Sequence, residues 1–184
     1  MRDQTLSPDP LRKLRTVSSV MTVAVTVGMA AVTVLAIAVF LIPAFTRVAV
    51  VPELLPFRLT EISAEARWLG LAVIAVPLAV LLYALNEIRA LFADYARGEI
   101  LTWRAARRLK RIAWAIIIGA ILRAPTRLGL FLAFTFDQPE IGRQLPARIA
   151  FADFAFLLAG LLLLAVAWAM AEAARIAEEH SHIV

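Results

Sequence analysis

TVSSVMTVAVTVGMAAVTVLAIAVFLIPAFT, residues 16–46, is the longest part of the chain without a charged side chain. About 20 apolar residues allow a helix to cross the hydrocarbon core of a membrane, whereas the apolar region of a cleaved signal peptide is about 7–15 residues long. The basic residues before this segment resemble the start of a signal peptide, but the apolar run is too long for one. We therefore predict a retained membrane span at about 17–44.

The composition places the whole chain among membrane proteins. Hydrophobic residues make up 62% of its 184 residues and the mean hydropathy is +0.82, while soluble domains are about 45–50% apolar. Further apolar segments predict spans at about 68–88, 112–136 and 149–171. The predicted fold is a single all-α transmembrane domain over residues 1–184, an integral membrane four-helix bundle. Cysteine is absent, which excludes disulfides, thiolate nucleophiles and sulfur-ligated metals.

The third predicted span is interrupted near its middle. Residues 112–122 and 128–136 are apolar, but Arg123, Pro125 and Arg127 lie between them. Neither part is long enough to cross a membrane alone, whereas 112–136 is long enough as one helix. We predict one helix kinked at Pro125, with a re-entrant segment as the alternative.

The distribution of lysine and arginine predicts the orientation. The N-terminal tail and the connection between the second and third spans are rich in basic residues, whereas the basic residues after the first span are balanced by glutamates. The positive-inside rule therefore puts the tail and the middle connection in the cytoplasm, and four spans return the C-terminus to that side. The net charge of +5 is accordingly interpreted as topology and contact with anionic lipid headgroups, and not as direct nucleic-acid binding.

The cytoplasmic connection LFADYARGEILTWRAARRLKRIAW, residues 91–114, predicts amphipathic helical extensions on both sides of a turn. Gly98 suits the left-handed residue after a helix end, and Thr102 suits the N-cap of the next helix. The arginines of that helix share one face. They either anchor it to anionic headgroups, at about 1 kcal/mol each, or dock an acidic soluble partner, and one face can do both. The candidate partner-binding residues are Tyr95, Gly98, Glu99, Thr102, Arg104, Arg107 and Arg108.

The segment YARGEILTWRAARRLKRIAW resembles the signature of a bacterial membrane family, the domain-of-unknown-function 2975 family. The matching positions are Tyr95, Gly98, Glu99, Thr102, Leu109, Ile112 and Trp114, and the tail at 177–184 is similar to the family's acidic ending. Ala113 stands where the family often has glycine. The resemblance implies a multi-pass protein of the bacterial cytoplasmic (inner) membrane with no established activity. Genes of this family often lie beside a small helix-turn-helix regulator, which implies a membrane partner for a transcription factor.

Glu87 lies at the inner boundary of the second predicted span, and three further charged residues lie deeper inside spans, where such residues are costly and suggest function. Arg123 is expected near the bilayer midplane, Arg127 about one turn nearer the outside, and Asp153 at a similar depth in the fourth span. One interpretation is a polar cavity that binds an anion or ligand between the third and fourth spans. The other is a structural Arg127–Asp153 pair with snorkelling of the arginines.

No motif of a catalytic or cofactor-binding site is present. The chain lacks nucleophile-elbow, phosphate-loop, dinucleotide and zinc-protease patterns. His180 and His182 lie near the end of the chain and are interpreted as a solvated tail, so no metal or cofactor is predicted.

The predicted function is a non-enzymatic membrane regulator that binds a soluble regulator. The alternatives are a small transporter or ligand-binding protein, and a structural subunit of a membrane complex. Small residues one turn apart also permit a homo-oligomer.

Overall fold

The computed structural model describes residues 9–49, 63–98, 102–135 and 151–181. These residues form helices throughout, apart from short connections. The helices are α1 (Asp9–Leu41), α2 (Pro43–Ala49), α3 (Ala64–Ala96), α4 (Trp103–Thr135) and α5 (Phe151–Ser181). The four long helices are each long and apolar enough to cross a membrane, which agrees with the prediction of four apolar helices of that length.

The first span ends slightly earlier than predicted, because α1 stops at Leu41 and a separate helix begins at Pro43. Proline is well tolerated at the first position of a helix, where its missing N–H would have had no helical partner. The carbonyls at the end of α1 gain other partners: Thr46 Oγ1 donates to the Val39 oxygen at 2.6 Å, and Arg67 Nη1 donates to the Leu41 oxygen at 3.0 Å. The first bond ties α2 to the end of α1, and the second ties the end of α1 to the start of α3.

The third span is a single continuous helix, α4, with Pro125 in its interior. The predicted single helix is therefore confirmed, and the re-entrant alternative is excluded. Proline lacks an N–H, so the carbonyl of Ile121 loses its usual helical partner. The predicted extensions on both sides of the turn are also present, since α3 continues to Ala96 and α4 begins at Trp103.

The four long helices pack in the order α1, α3, α4, α5. Close backbone approaches join α1 to α3, α3 to α4, and α4 to α5, and within the described ranges α1 and α5 do not meet. The helices thus form an open row with α1 and α5 at its edges. This agrees with the predicted all-α fold of packed spans and adds the order of neighbours.

Three glycines lie at contacts between helices, where an added Cβ would come too close to a neighbouring side chain. A Cβ on Gly160 of α5 would lie 2.6 Å from Ile117 Cγ1 of α4, and one on Gly129 of α4 would lie 2.9 Å from Val73 Cγ1 of α3. Gly70 lies beneath the rings of Phe40 and Phe134, which stack with centroids 6.4 Å apart. The helices approach where side-chain volume is smallest, as expected for membrane helix pairs.

Neighbouring long helices are antiparallel, which defines two ends of the molecule. The end of α1, the start of α3 and the end of α4 meet in one apolar cluster around Phe40, Ala66 and Phe134, here called the far end. The end of α3 and the start of α4 form the opposite, basic end. Because Phe156 of α5 contacts Arg123 of α4 while Leu164 packs against Ala113, the C-terminal end of α5 also lies at the basic end.

Candidate functional site

The turn between α3 and α4 has the two local signals predicted from the sequence. Gly98 has φ 89° and follows the end of α3, where the Arg97 N–H bonds the Asp94 carbonyl at 3.0 Å. Thr102 Oγ1 accepts the Ala105 N–H at 3.2 Å and so caps the start of α4. Both predicted roles are confirmed. The turn holds α3 and α4 as neighbours whose charged faces meet.

Two carboxylates of α3 are buried in that contact. Asp94 is 1% exposed and Glu87 is 6% exposed, and Leu91 lies between them on the same buried face. Positions 87, 91 and 94 are spaced so that they share one side of a helix. A buried carboxylate destabilises the fold unless a cation or several donors compensate for its lost hydration.

Arginines provide that compensation on every carboxylate oxygen. Arg108 Nε donates to Asp94 Oδ2 at 2.8 Å and its Nη1 to Glu87 Oε2 at 3.4 Å. Arg111 Nη1 donates to Glu87 Oε1 at 3.2 Å, and Arg97 Nη2 donates to Asp94 Oδ1. Arg108 therefore bridges the two acids. These five residues are called the ion-pair network below.

The ion-pair network changes the interpretation of the basic face of α4. Arg108 and Arg111 belong to it, with side chains 25% and 49% exposed. Part of the positive charge therefore joins α3 to α4 and is not entirely available to lipid or a partner. Glu87 was predicted only as a residue at the boundary of the second span, and Asp94 was not among the predicted site residues. The available signal was that Glu87 and Asp94 share one side of a helix with the apolar Leu91, while the next helix has a face rich in arginine.

The exposed remainder of the basic face borders an open groove of about 700 Å³, called the basic groove. The Arg107 guanidinium lies 5.8 Å from the centroid of the Trp103 ring, a cation–π contact, and Trp103 is 53% exposed. Arg104 is also exposed. The groove is lined by Thr102, Trp103, Arg104, Arg107, Arg108 and Arg111.

The other predicted partner-binding residues have different surroundings. Tyr95 packs against the apolar cluster formed by Leu91, Ala105 and Ile112. Gly98 and Thr102 shape the turn, although Thr102 also borders the basic groove. Glu99 lies outside the described residues. A partner-binding role for these residues stays a prediction.

A second cavity, of about 520 Å³, lies among α1, α3 and α4 toward the far end. Its walls are mostly apolar, with Val32, Leu78 and Leu81 among them, but Arg123, Thr126 and Arg127 also line it. We call it the outer cavity. The structure thus brings Arg123 and Arg127 to one cavity, which opens beside α1 as well as α3.

Arg123 of α4 also contacts α5. Its guanidinium lies 4.9 Å from the centroid of the Phe156 ring. Phe156 is about 8 Å along the helix axis from Phe151, where α5 begins, so this contact lies toward the far end, and the depth of Arg123 in the bilayer stays a prediction. The side chain of Asp153 lies outside the described part, so the Arg127–Asp153 pair stays a prediction.

Comparison with known proteins gives one finding. A family model described as "Protein of unknown function (DUF2975)" matches residues 56–184, a range that includes α3, α4 and α5 and the whole ion-pair network. Searches of curated proteins and of solved structures found no significant match.

Proposed function

Because the chain belongs to the DUF2975 family, whose description states no function, we propose a role from its geometry: a non-enzymatic, multi-pass membrane protein that binds an acidic soluble regulator in the basic groove. A helix-turn-helix transcription factor is the candidate partner that the family resemblance implies. The resemblance seen in the sequence is confirmed by the family match, but the role is our inference.

The exposed pair of Trp103 and Arg107 carries this proposal. Tryptophan and arginine are enriched among the residues that contribute most to protein–protein affinity. Here they stand at the start of α4, where the helix dipole adds positive potential. Arg104 is exposed beside them. The ion-pair network holds α4 against α3 and so presents this surface in one orientation.

The position and chemistry of the groove support the same conclusion. The positive-inside rule favours the cytoplasm for the basic end, where a soluble regulator would be found. The groove is lined by threonine, tryptophan and arginine. These residues provide no pairing of nucleophile and general base, and the Thr102 hydroxyl already accepts the Ala105 N–H. This chemistry suits recognition of an acidic surface.

Site-specific crosslinking in native membranes tests the proposal. A photoreactive amino acid in place of Trp103 is expected to crosslink a soluble protein, identified by mass spectrometry. The same amino acid in place of Leu132, which is 55% exposed on α4 toward the far end, is the control. Arg104→Glu should abolish the crosslink formed at position 103. Arg89→Glu should not abolish it, because Arg89 is an exposed arginine on α3 away from the groove. Crosslinks to lipid or to the chain itself alone would contradict the proposal.

The outer cavity favours a second candidate function, binding of an anionic amphiphile. Arg123, Thr126 and Arg127 border walls that are otherwise apolar, and about 520 Å³ is within the range of small-molecule sites. Purified protein is then expected to bind oleate more tightly than oleyl alcohol, because only oleate offers a carboxylate. Arg127→Gln should remove that preference. Equal binding of both probes, or an unchanged preference in Arg127→Gln, would exclude this function.

A further inference from the structure

A second groove, between α3 and α4, shares Arg107 and Arg111 with the basic groove but has further lining residues that the proposed function does not explain. Its volume is about 510 Å³. Ala79 and Val80 of α3 and Ile118 of α4 form its apolar part. Tyr83 and Trp114, which are 47% and 48% exposed, also line it. Three cations complete it: Arg107, Lys110 and Arg111.

These groups follow a definite order along the helices. On α4, Ile118, Trp114 and Arg111 lie on one stripe, and Arg107 continues it one turn nearer the basic end. Ile118 and Arg107 are about 16 Å apart along the axis. On antiparallel α3, Tyr83 is nearer the basic end than Ala79. The groove therefore changes from apolar to aromatic to cationic toward the membrane surface.

This order matches the parts of a phospholipid at the membrane interface. Acyl chains need an apolar wall, tryptophan and tyrosine prefer the headgroup level, and lysine and arginine attract anionic headgroups. We infer that this groove binds an anionic phospholipid, with its phosphate at Arg107, Lys110 and Arg111 and one acyl chain along Val80 and Ile118.

The charge balance of the groove favours an anionic over a zwitterionic lipid. No carboxylate lines the described part of it. Glu87 accepts from Nη1 of Arg111, and Arg111, whose side chain is 49% exposed, also lines the groove. The same contact restrains Arg111, which lowers the entropic cost of binding a phosphate there. A free phosphate would leave the apolar part of the groove unfilled.

Lipid retention measured by native mass spectrometry tests this site. The purified full chain is expected to retain phosphatidylglycerol in preference to phosphatidylcholine. Lys110→Gln should weaken phosphatidylglycerol retention about fivefold, the effect of one basic residue near a membrane surface. Combining it with Trp114→Ala should weaken retention further. Both side chains are exposed, and unchanged thermal unfolding of the variants would show that they still fold.

Arg104→Gln is the matched control, because it removes one charge from the same helix but lines only the basic groove. It should leave phosphatidylglycerol retention unchanged. An equal loss in Arg104→Gln and Lys110→Gln would show diffuse attraction and overturn the site. Equal retention of both lipids would overturn it as well, as would displacement of phosphatidylglycerol by inorganic phosphate. The site does not depend on a soluble partner, since failure of the Trp103 crosslink leaves these measurements unaffected.

Discussion

Asp94 is the most deeply buried charged residue among the described side chains, and its surroundings explain how a carboxylate is tolerated there. One of its oxygens accepts from Arg97 and the other from Arg108. Removal of one partner from a buried pair leaves the other charge without compensation, which costs more than the pair contributes. Without Asp94, Arg97 loses its bond to that carboxylate and Arg108 keeps only its weaker contact with Glu87.

Asp94→Ala should lower the free energy of unfolding by about 1–3 kcal/mol, because it removes charge-assisted hydrogen bonds from two arginines that are partly exposed to solvent. The lower midpoint of thermal unfolding in detergent would show it. Glu172→Ala is the matched control, because Glu172 pairs with Arg175 at 2.5 Å but both side chains are more than half exposed. Exposed pairs contribute about 0–1 kcal/mol. If the two variants unfold alike, the ion-pair network does not stabilise the α3–α4 contact.

Helix α4 is the central element of the molecule, since it packs against both α3 and α5. Its two sides use different interactions. Toward α3 it combines the ion-pair network with apolar contacts of Ile112 and Leu91, whereas toward α5 it packs Ile117 over Gly160. The charged contact sets which face of α4 meets α3, and the glycine contact sets how closely α5 approaches.

Gly160→Ala should destabilise the α4–α5 contact by about 1–3 kcal/mol, because its Cβ would overlap Ile117 and approach the backbone of α4. Thermal unfolding in detergent measures the loss. Gly119→Ala, on α4, is the control, since nothing lies within 4 Å of its added Cβ. Comparable midpoints for the parent and Gly160→Ala would mean that α5 can move away at little cost.

At the level of the complete molecule, the helices present two chemically different ends. The far end consists of stacked aromatic rings and apolar residues. The basic end holds the ion-pair network, the basic groove and the three cations of the groove between α3 and α4. Each of the four long helices, at 31–33 residues, is about 50 Å long and so exceeds the hydrocarbon core of about 30 Å. The helix ends therefore project into headgroups or water.

The predicted orientation, with the basic end in the cytoplasm, can be measured directly because the chain has no cysteine. Ala64→Cys places one thiol at the far end, and Arg104→Cys places one at the basic end. A membrane-impermeant thiol reagent should label Ala64→Cys in intact cells and Arg104→Cys only after lysis. The opposite pattern would reverse the orientation and remove the cytoplasmic partner from consideration.

Features that depend on residues close together in the chain were predictable from the sequence. The four spans, the continuity of α4, the Gly98 turn and the Thr102 cap follow from hydropathy over about 20 residues or from local backbone preferences. The end of α1 was misplaced slightly, because the uncharged run continues through Pro43 while the helix does not. Hydropathy does not register where backbone hydrogen bonding stops.

The surroundings of the candidate site residues could not be predicted from the sequence, because they depend on how the helices pack. Arg107 and Arg108 are adjacent and chemically identical, yet Arg108 joins Asp94 and Glu87 whereas Arg107 lies over Trp103. Likewise, Arg123 and Arg127 were recognised as unusual, but the cavity they line has walls from α1 and α3. Local sequence specifies that a helix forms and which residues share a face. The rotation and spacing of helices against each other determine which charges become buried partners and which remain exposed.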